Sequence, residues 1–261
     1  MDSLTHLLQR TIAIQAPPET VFSFFTDSER WARWWGAGSS IEARPGGRMF
    51  IRHPNGVEVS GEVLAVESPR RIVFTYGYES RKPIPPGASR VTIVLEPTAR
   101  GTVLSLTHEF SDAAVRDLHL QGWRFQLSLF SNAVADEVNA EAISKVDGWF
   151  TSWSVTEDTA RREALARIAA PAVRFADRYS ALEGIDEVSM HIGAAQRFMP
   201  PMRIERRGGV RHCQGVALAD WTAVAPDGQE RASGTNVFGF GLDGSIEWST
   251  GFWNAATAKS A

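Results

Sequence analysis

The sequence is poor in several things, and each shortage excludes a class of function. There is one cysteine, Cys213, so no disulfide forms within the chain, and a reducing, cytoplasmic setting is the expectation. Lys and Arg number 27 against 30 Asp and Glu, a formal net charge of −3. That balance offers no basic face for nucleic acid, and the short run at Arg203, Arg206 and Arg207 reads as a solvated strand face. No apolar run approaches the ~20 residues that cross a bilayer, so membrane insertion is not expected. The opening MDSLTHLLQR lacks the charged region and apolar run of a signal peptide. No Cys/His spacing suits zinc: His212 and Cys213 are adjacent and would point to opposite faces of a strand. No metal and no cofactor are expected. A Walker loop, a G-x-S-x-G elbow and H-E-x-x-H are all missing. One G-x-G-x-x-G string exists, GFGLDG at 239–244, but it joins two strand-like runs instead of opening a helix, so a dinucleotide site is rejected.

Tryptophan is abundant. Of 9 in the chain, three fall in WARWWG, at Trp31, Trp34 and Trp35. The 261 residues, 43% apolar and 22% charged, suit a soluble globular protein with a sizeable core. From Arg10 to Phe110 the pattern is mostly strands. RTIAIQAP is the first, and Pro18 then suits the first turn of a short helix, PETVFSFF. Thr26 with Glu29 reads as a capping box, so a second short helix begins there and ends at Gly36. GGRMFIRHP and VEVSGEVLAVES flank Asn55-Gly56, a strong hairpin signal. IVFTYGY, VTIVLEP and VLSLTHEF continue the meander. In the last, Leu104, Leu106, His108 and Phe110 share a face. A long amphipathic helix follows, with Trp123, Leu127, Phe130 and Val134 as its stripe. Gly122 inside it costs about 1 kcal/mol against alanine, which predicts a close neighbour there.

The second half opens with two helices, ISKVDGWFTSWSV and DTARREALARIA, with Thr156 or Asp158 as the cap between them. A short strand PAVRFADRY and a helix DEVSMHIGAAQRF come next. Four strands then run from 202 to 253, with turns at Asp227-Gly228 and Asp243-Gly244. Helices followed by an antiparallel meander argue for α+β. Two α+β domains are expected, 1–139 and 140–261, with no internal repeat.

Two resemblances rest on these residues. IAIQAPPETVFSFFTDSERWARWWG, GGRMFIRHPNGVEVSGEVLAVESPRRIVFTY, GTVLSLTHEF and HLQGWRFQLSLF resemble the domain related to the Hsp90 ATPase activator, within the START-like (SRPBCC), helix-grip superfamily, over roughly 10–137. That resemblance implies a hydrophobic pocket between a curled sheet and a long helix. WFTSWSVTEDTARREALARI, VRFADRYSALEG, ADWTAVAPDG and GTNVFGFGLDGSIEWSTGFW resemble the SnoaL-like branch of the nuclear-transport-factor-2-like superfamily, over roughly 143–254. It implies a cone-shaped α+β barrel around a pocket, and a homodimer. Many relatives place an acid after the Gly-Thr pair that is here Gly234-Thr235; this chain has Asn236, which cannot take a proton at neutral pH.

Trp31, Trp34 and Trp35 lie at i, i+3 and i+4, one helical face, as core packing or pocket wall. Phe50, Tyr76, His108, Trp123 and Leu127 are the other ligand-contact candidates of the first half. In the second half, Asp177, His191, Asp220, Trp221 and Asn236 are pocket candidates, and Asp177 is the carboxylate best suited to general-base work, unless it caps a strand end or pairs with Arg174 or Arg178. Three functions compete: binding of a hydrophobic small molecule in two cavities; a cyclase, dehydratase or isomerase with acid–base chemistry in the second half; and a co-chaperone-like interaction module by analogy alone.

Overall fold

The computed structural model describes residues 3–199 and 201–254. It divides into two compact units, Met1–Glu137 and Val138–Ala261, both α+β.

In the N-terminal unit, β1 (His6–Ile14) leads into two short helices, α1 (Pro18–Ser23) and α2 (Ser28–Trp35). Pro18 occupies the first turn of α1, where a missing N–H is harmless. The cap of α2 is Asp27, whose carboxylate accepts from Arg30 N at 2.9 Å. The capping box expected at Thr26 does not form, because the Thr26 hydroxyl turns back to the α1 carbonyls of Phe22 and Ser23. Gly36 closes α2 at φ +137°, where any side chain would run into the Arg52 carbonyl. Six strands follow: β2 (Ser40–Ile41), β3 (Arg48–Arg52), β4 (Glu58–Glu67), β5 (Arg71–Tyr78), β6 (Ser89–Thr98) and β7 (Gly101–Phe110). Gly56, at φ +83°, makes the β3–β4 turn, as Asn55-Gly56 predicts. The sheet order is β1-β7-β6-β5-β4-β3-β2, all antiparallel, so the first strand pairs with the last. One face is largely apolar: Met49, Ile51, Val63, Phe74, Leu104, Leu106 and Phe110 are all buried on it, with His108 among them. Against it lies α3 (Ala113–Val138), burying Trp123, Leu127, Phe130 and Val134, the stripe expected from their spacing. Arg30 and Arg33 of α2 both bridge to Glu137 near the end of α3, at 2.9 and 2.7 Å. Gly122 is a correction: it is exposed, and nothing stands within 4 Å of where a Cβ would be.

Among its described residues the C-terminal unit has three helices, α4 (Ala142–Ser152), α5 (Asp158–Ala166) and α6 (Gly184–Phe198). Glu157 caps α5, accepting from Thr159 N at 3.1 Å and Ala160 N at 2.7 Å, in place of Thr156 or Asp158. Its sheet runs β10-β11-β12-β13-β8-β9, built from β8 (Ala169–Ala176), β9 (Ala181–Glu183), β10 (Arg203–Cys213), β11 (Val216–Val224), β12 (Glu230–Phe240) and β13 (Ile246–Trp253). β13 and β8 are parallel and all other pairs antiparallel. Trp149, Phe150, Leu165, Phe175, Ile192, Phe238 and Phe240 fill the space between sheet and helices. GFGLDG lies across the turn from β12 to β13, and the Trp248 ring covers Gly239, so the first glycine of that string serves packing.

Candidate functional site

The WARWWG tryptophans project from one face of α2 into the N-terminal interior, and all three are buried. Trp31 Nε1 donates to the Phe50 carbonyl at 3.1 Å, and Trp34 Nε1 donates to the Phe24 carbonyl at 3.4 Å. Trp35 is 4% exposed, and its Nε1 has no hydrogen-bond partner among the described residues. The rings form a continuous wall: Trp31–Trp34 at 5.1 Å, Trp34–Trp35 at 4.4 Å, and Trp35–Trp123 at 5.7 Å across to α3. His53 stands edge-to-face with Trp35 at 5.6 Å.

At Trp123 the wall turns polar. Its indole N–H donates to His108 Nδ1 at 2.9 Å, which places the imidazole proton on Nε2. That N–H meets Ser89 Oγ at 2.8 Å, and the Ser89 hydroxyl donates to the Tyr76 carbonyl at 2.9 Å. Beside this relay, the Tyr78 hydroxyl donates to His119 Nε2 at 3.1 Å, while His119 Nδ1–H donates to Val115 O at 2.7 Å. Burial, with a smaller contribution from the His119 charge, holds His108 well below the ordinary histidine range; burial lowers His119 and His53 as well. Burial and the neighbouring Tyr78 push the Tyr76 hydroxyl well above the ordinary tyrosine range. At neutral pH the cluster is therefore uncharged and rich in donors and acceptors.

Tyr76, His108 and Trp123 thus come together with Trp31, Trp34 and Trp35, and Leu127 is buried on the same stripe of α3 as Trp123. Phe50 does not join them. It sits on the opposite face of β3 from Met49 and Ile51, half-buried between the guanidinium groups of Arg48 and Arg52. Sequence reasoning passed over His53, Ser89, Tyr78 and His119. His119 lies four residues before Trp123 on the inward stripe, and His53 continues the inward parity of Met49 and Ile51, so helical and strand spacing held both signals.

In the C-terminal unit, Asp177 follows β8. Its Oδ2 accepts from Trp253 Nε1 at 3.1 Å and its Oδ1 from Tyr179 N at 2.8 Å; these hold it instead of Arg174 or Arg178. The Trp253 ring meets Trp221 edge-on at 5.1 Å. Trp221 Nε1 donates to Asn236 Oδ1 at 2.9 Å, and Asn236 Nδ2 donates to Ser249 Oγ at 3.1 Å. Gly251 brings these together: a Cβ there would lie 3.2 Å from Asn236 Oδ1 and 3.4 Å from Asp177 Cβ. His191 has Ser180 Oγ at 3.3 Å and the rings of Trp153 and Phe175 around it, and the Ser180 carbonyl accepts from Asp177 N at 2.9 Å. An open cavity of about 570 Å³ is lined by Arg174, Phe175, Leu182, Glu187, Trp248 and Ser249 among others.

In the N-terminal unit a largely apolar sheet face thus packs against one long helix, with the WARWWG rings between them. Residues 15–135 match the family model described as Activator of Hsp90 ATPase homolog 1-like protein. The N-terminal unit is AHSA1-like. Similar solved structures include a protein of the SnoaL-like family from Agrobacterium tumefaciens (23% identity, 43% of this chain and 96% of that one, TM-score 0.41). Protein MLL2253 from Mesorhizobium loti is 23% identical over 49% of this chain and 96% of that one, at TM-score 0.44. CalU16 from Micromonospora echinospora is 27% identical over 50% and 76%, at TM-score 0.40. No curated protein matches. Among the described residues no helix is long and apolar enough to cross a membrane.

Proposed function

We propose that the AHSA1-like unit binds a hydrophobic small molecule between its sheet and α3, against the wall formed by Trp35, Trp123 and their neighbours. The observation that carries this reading is the composition of that interior. A continuous aromatic wall ends in a small, neutral set of polar groups on Tyr76, Tyr78, His108 and His119. Small-molecule sites have this makeup: predominantly apolar walls and a few convergent polar groups that fix orientation. A cluster built only for packing has no need of four titratable rings at one end. The test is native mass spectrometry of freshly purified protein together with thermal unfolding in the presence of apolar aromatics of one to four rings. A retained non-protein mass, or a rise in Tm that grows with ligand concentration, is expected. Neither a retained mass nor a rise with any of these compounds would overturn the reading.

A second reading, acid–base catalysis in the C-terminal unit, is favoured by one arrangement. Asp177 is held by two N–H donors and lies across Gly251 from Asn236. A carboxylate so oriented serves as a general base. Under this reading Asp177→Asn abolishes turnover of a carbonyl substrate while the unfolding curve is preserved; unchanged turnover would reject it.

A further inference from the structure

The three WARWWG tryptophans differ in one respect that their packing does not explain. Two have indole N–H groups satisfied by backbone carbonyls of their own unit, Phe50 O for Trp31 and Phe24 O for Trp34. The third, Trp35, is equally buried at 4% exposure, yet its Nε1 meets no acceptor among the described residues. A buried donor without a partner is costly and uncommon in folded proteins. Tyrosine and tryptophan N–H and O–H groups normally find one. Moreover, Trp35 is not sealed in by hydrocarbon alone. His53, half-buried, stands edge-on to it at 5.6 Å, and Trp123 meets it edge-on at 5.7 Å. Burial disfavours the charged form of His53, so no cation competes there for an anionic or neutral oxygen, and the imidazole has one nitrogen able to donate and one able to accept.

We infer that Trp35 Nε1, flanked by His53 and Trp123, is a ligand-binding donor that selects flat apolar ligands carrying a carbonyl oxygen over hydrocarbons of the same shape. The inference rests on the small-molecule reading of this interior and adds the chemical class of its ligand. A site with a fixed donor discriminates strongly against an analogue that lacks the acceptor, because the donor is then left desolvated and unpaired. Trp31 and Trp34 contribute no such selection, since their N–H groups are already engaged. His53, at the half-buried edge, is placed to accept or donate to a second oxygen.

The experiment compares 2-acetylnaphthalene with 2-isopropenylnaphthalene, which replaces C=O by C=CH2 at nearly constant shape. Binding of each to the full chain is measured by calorimetry. Wild type is expected to bind the ketone about tenfold more tightly, and Trp35→Phe is expected to bring the two affinities together by weakening the ketone. In parallel, the ¹⁵N-labelled indole resonances of the wild-type protein are followed. One of them, missing from the Trp35→Phe spectrum, is expected to move downfield with the ketone and to stay in place with the hydrocarbon. If Trp35→Phe does not fold, the wild-type spectrum alone decides, through an indole signal that responds to the ketone only. Equal affinity for both compounds, or a ketone preference retained in Trp35→Phe, overturns this inference and leaves the small-molecule reading standing. Failure of both compounds to bind also overturns this inference, and the small-molecule reading falls with it only if the mass-spectrometric and thermal tests above are negative too.

Discussion

Trp123 of α3 donates its indole N–H to Nδ1 of His108 on β7 across 2.9 Å, in a site where both residues are buried. This bond ties the long helix to β7, the neighbour of the edge strand β1, and sets the tautomer of the histidine. Trp123→Phe keeps the ring but leaves His108 Nδ1 as a buried acceptor with nothing to accept. A loss of about 1–3 kcal/mol in unfolding free energy is expected, measured by urea denaturation of the two proteins side by side. A change below a few tenths of a kcal/mol would mean that the imidazole reorients at no cost.

The histidines give stability a definite pH dependence. In the folded chain His108, His119 and His53 all lie below their ordinary value. As pH falls below about 6.5 the unfolded chain takes up protons that the folded chain refuses, so stability is complete above that value and declines on acidification. The urea midpoint is expected to drop between pH 7.5 and pH 5.5. His108→Gln, whose amide can accept from Trp123 and donate to Ser89, is expected to flatten that dependence. An equally steep drop in the variant would assign the effect to other groups.

Gly122 on the outer face of α3 has open space where a side chain would go. Gly122→Ala is therefore expected to stabilise the protein by about 1 kcal/mol, through helix propensity alone. Its thermal unfolding midpoint rises if that is correct. A fall would show that something touches this face in solution.

Asn236 uses both ends of its amide, accepting from Trp221 and donating to Ser249. An ionised carboxylate has no proton to donate and is costly to bury. Asn236→Asp is expected to lose at least about 2 kcal/mol at pH 7. Relative to wild type at the same pH, the deficit should shrink as pH is lowered, because burial raises the carboxyl pKa and the protonated acid regains a donor. A deficit that stays constant from pH 7 to pH 5 would argue against that account.

The α+β class, the order of the longer strands, and the inward stripe of α3 were all legible in the sequence, because each writes a period of two or of 3.6 residues into the apolar positions. The features that escaped leave no such trace. β2 and β9 are two and three residues long, too short for alternation to register. The caps moved to Asp27 and Glu157 because several neighbouring residues can each cap a helix, and the choice depends on which side chain is free to turn inward. At the candidate site, spacing predicted that Trp31, Trp34 and Trp35 share a face. It could not show which indole would lack a partner, since Phe24 O and Phe50 O approach only through the fold. Phe50 was misplaced because an aromatic residue in a strand reads as inward, whereas two flanking arginines cover this one on the outer face.

In each unit the strand made first pairs with the strand made last: β1 with β7, and β8 with β13. On the ribosome neither sheet can close until its final strand has left the exit tunnel. His6–Ile14 must wait for residues near 110, and Ala169–Ala176 for residues near 250. Pairings of such long sequence separation fold slowly and leave strand edges unprotected meanwhile. A chain cut short before Ile246 would strand β8 without its parallel neighbour, so degradation of incomplete chains should fall most heavily on the C-terminal unit.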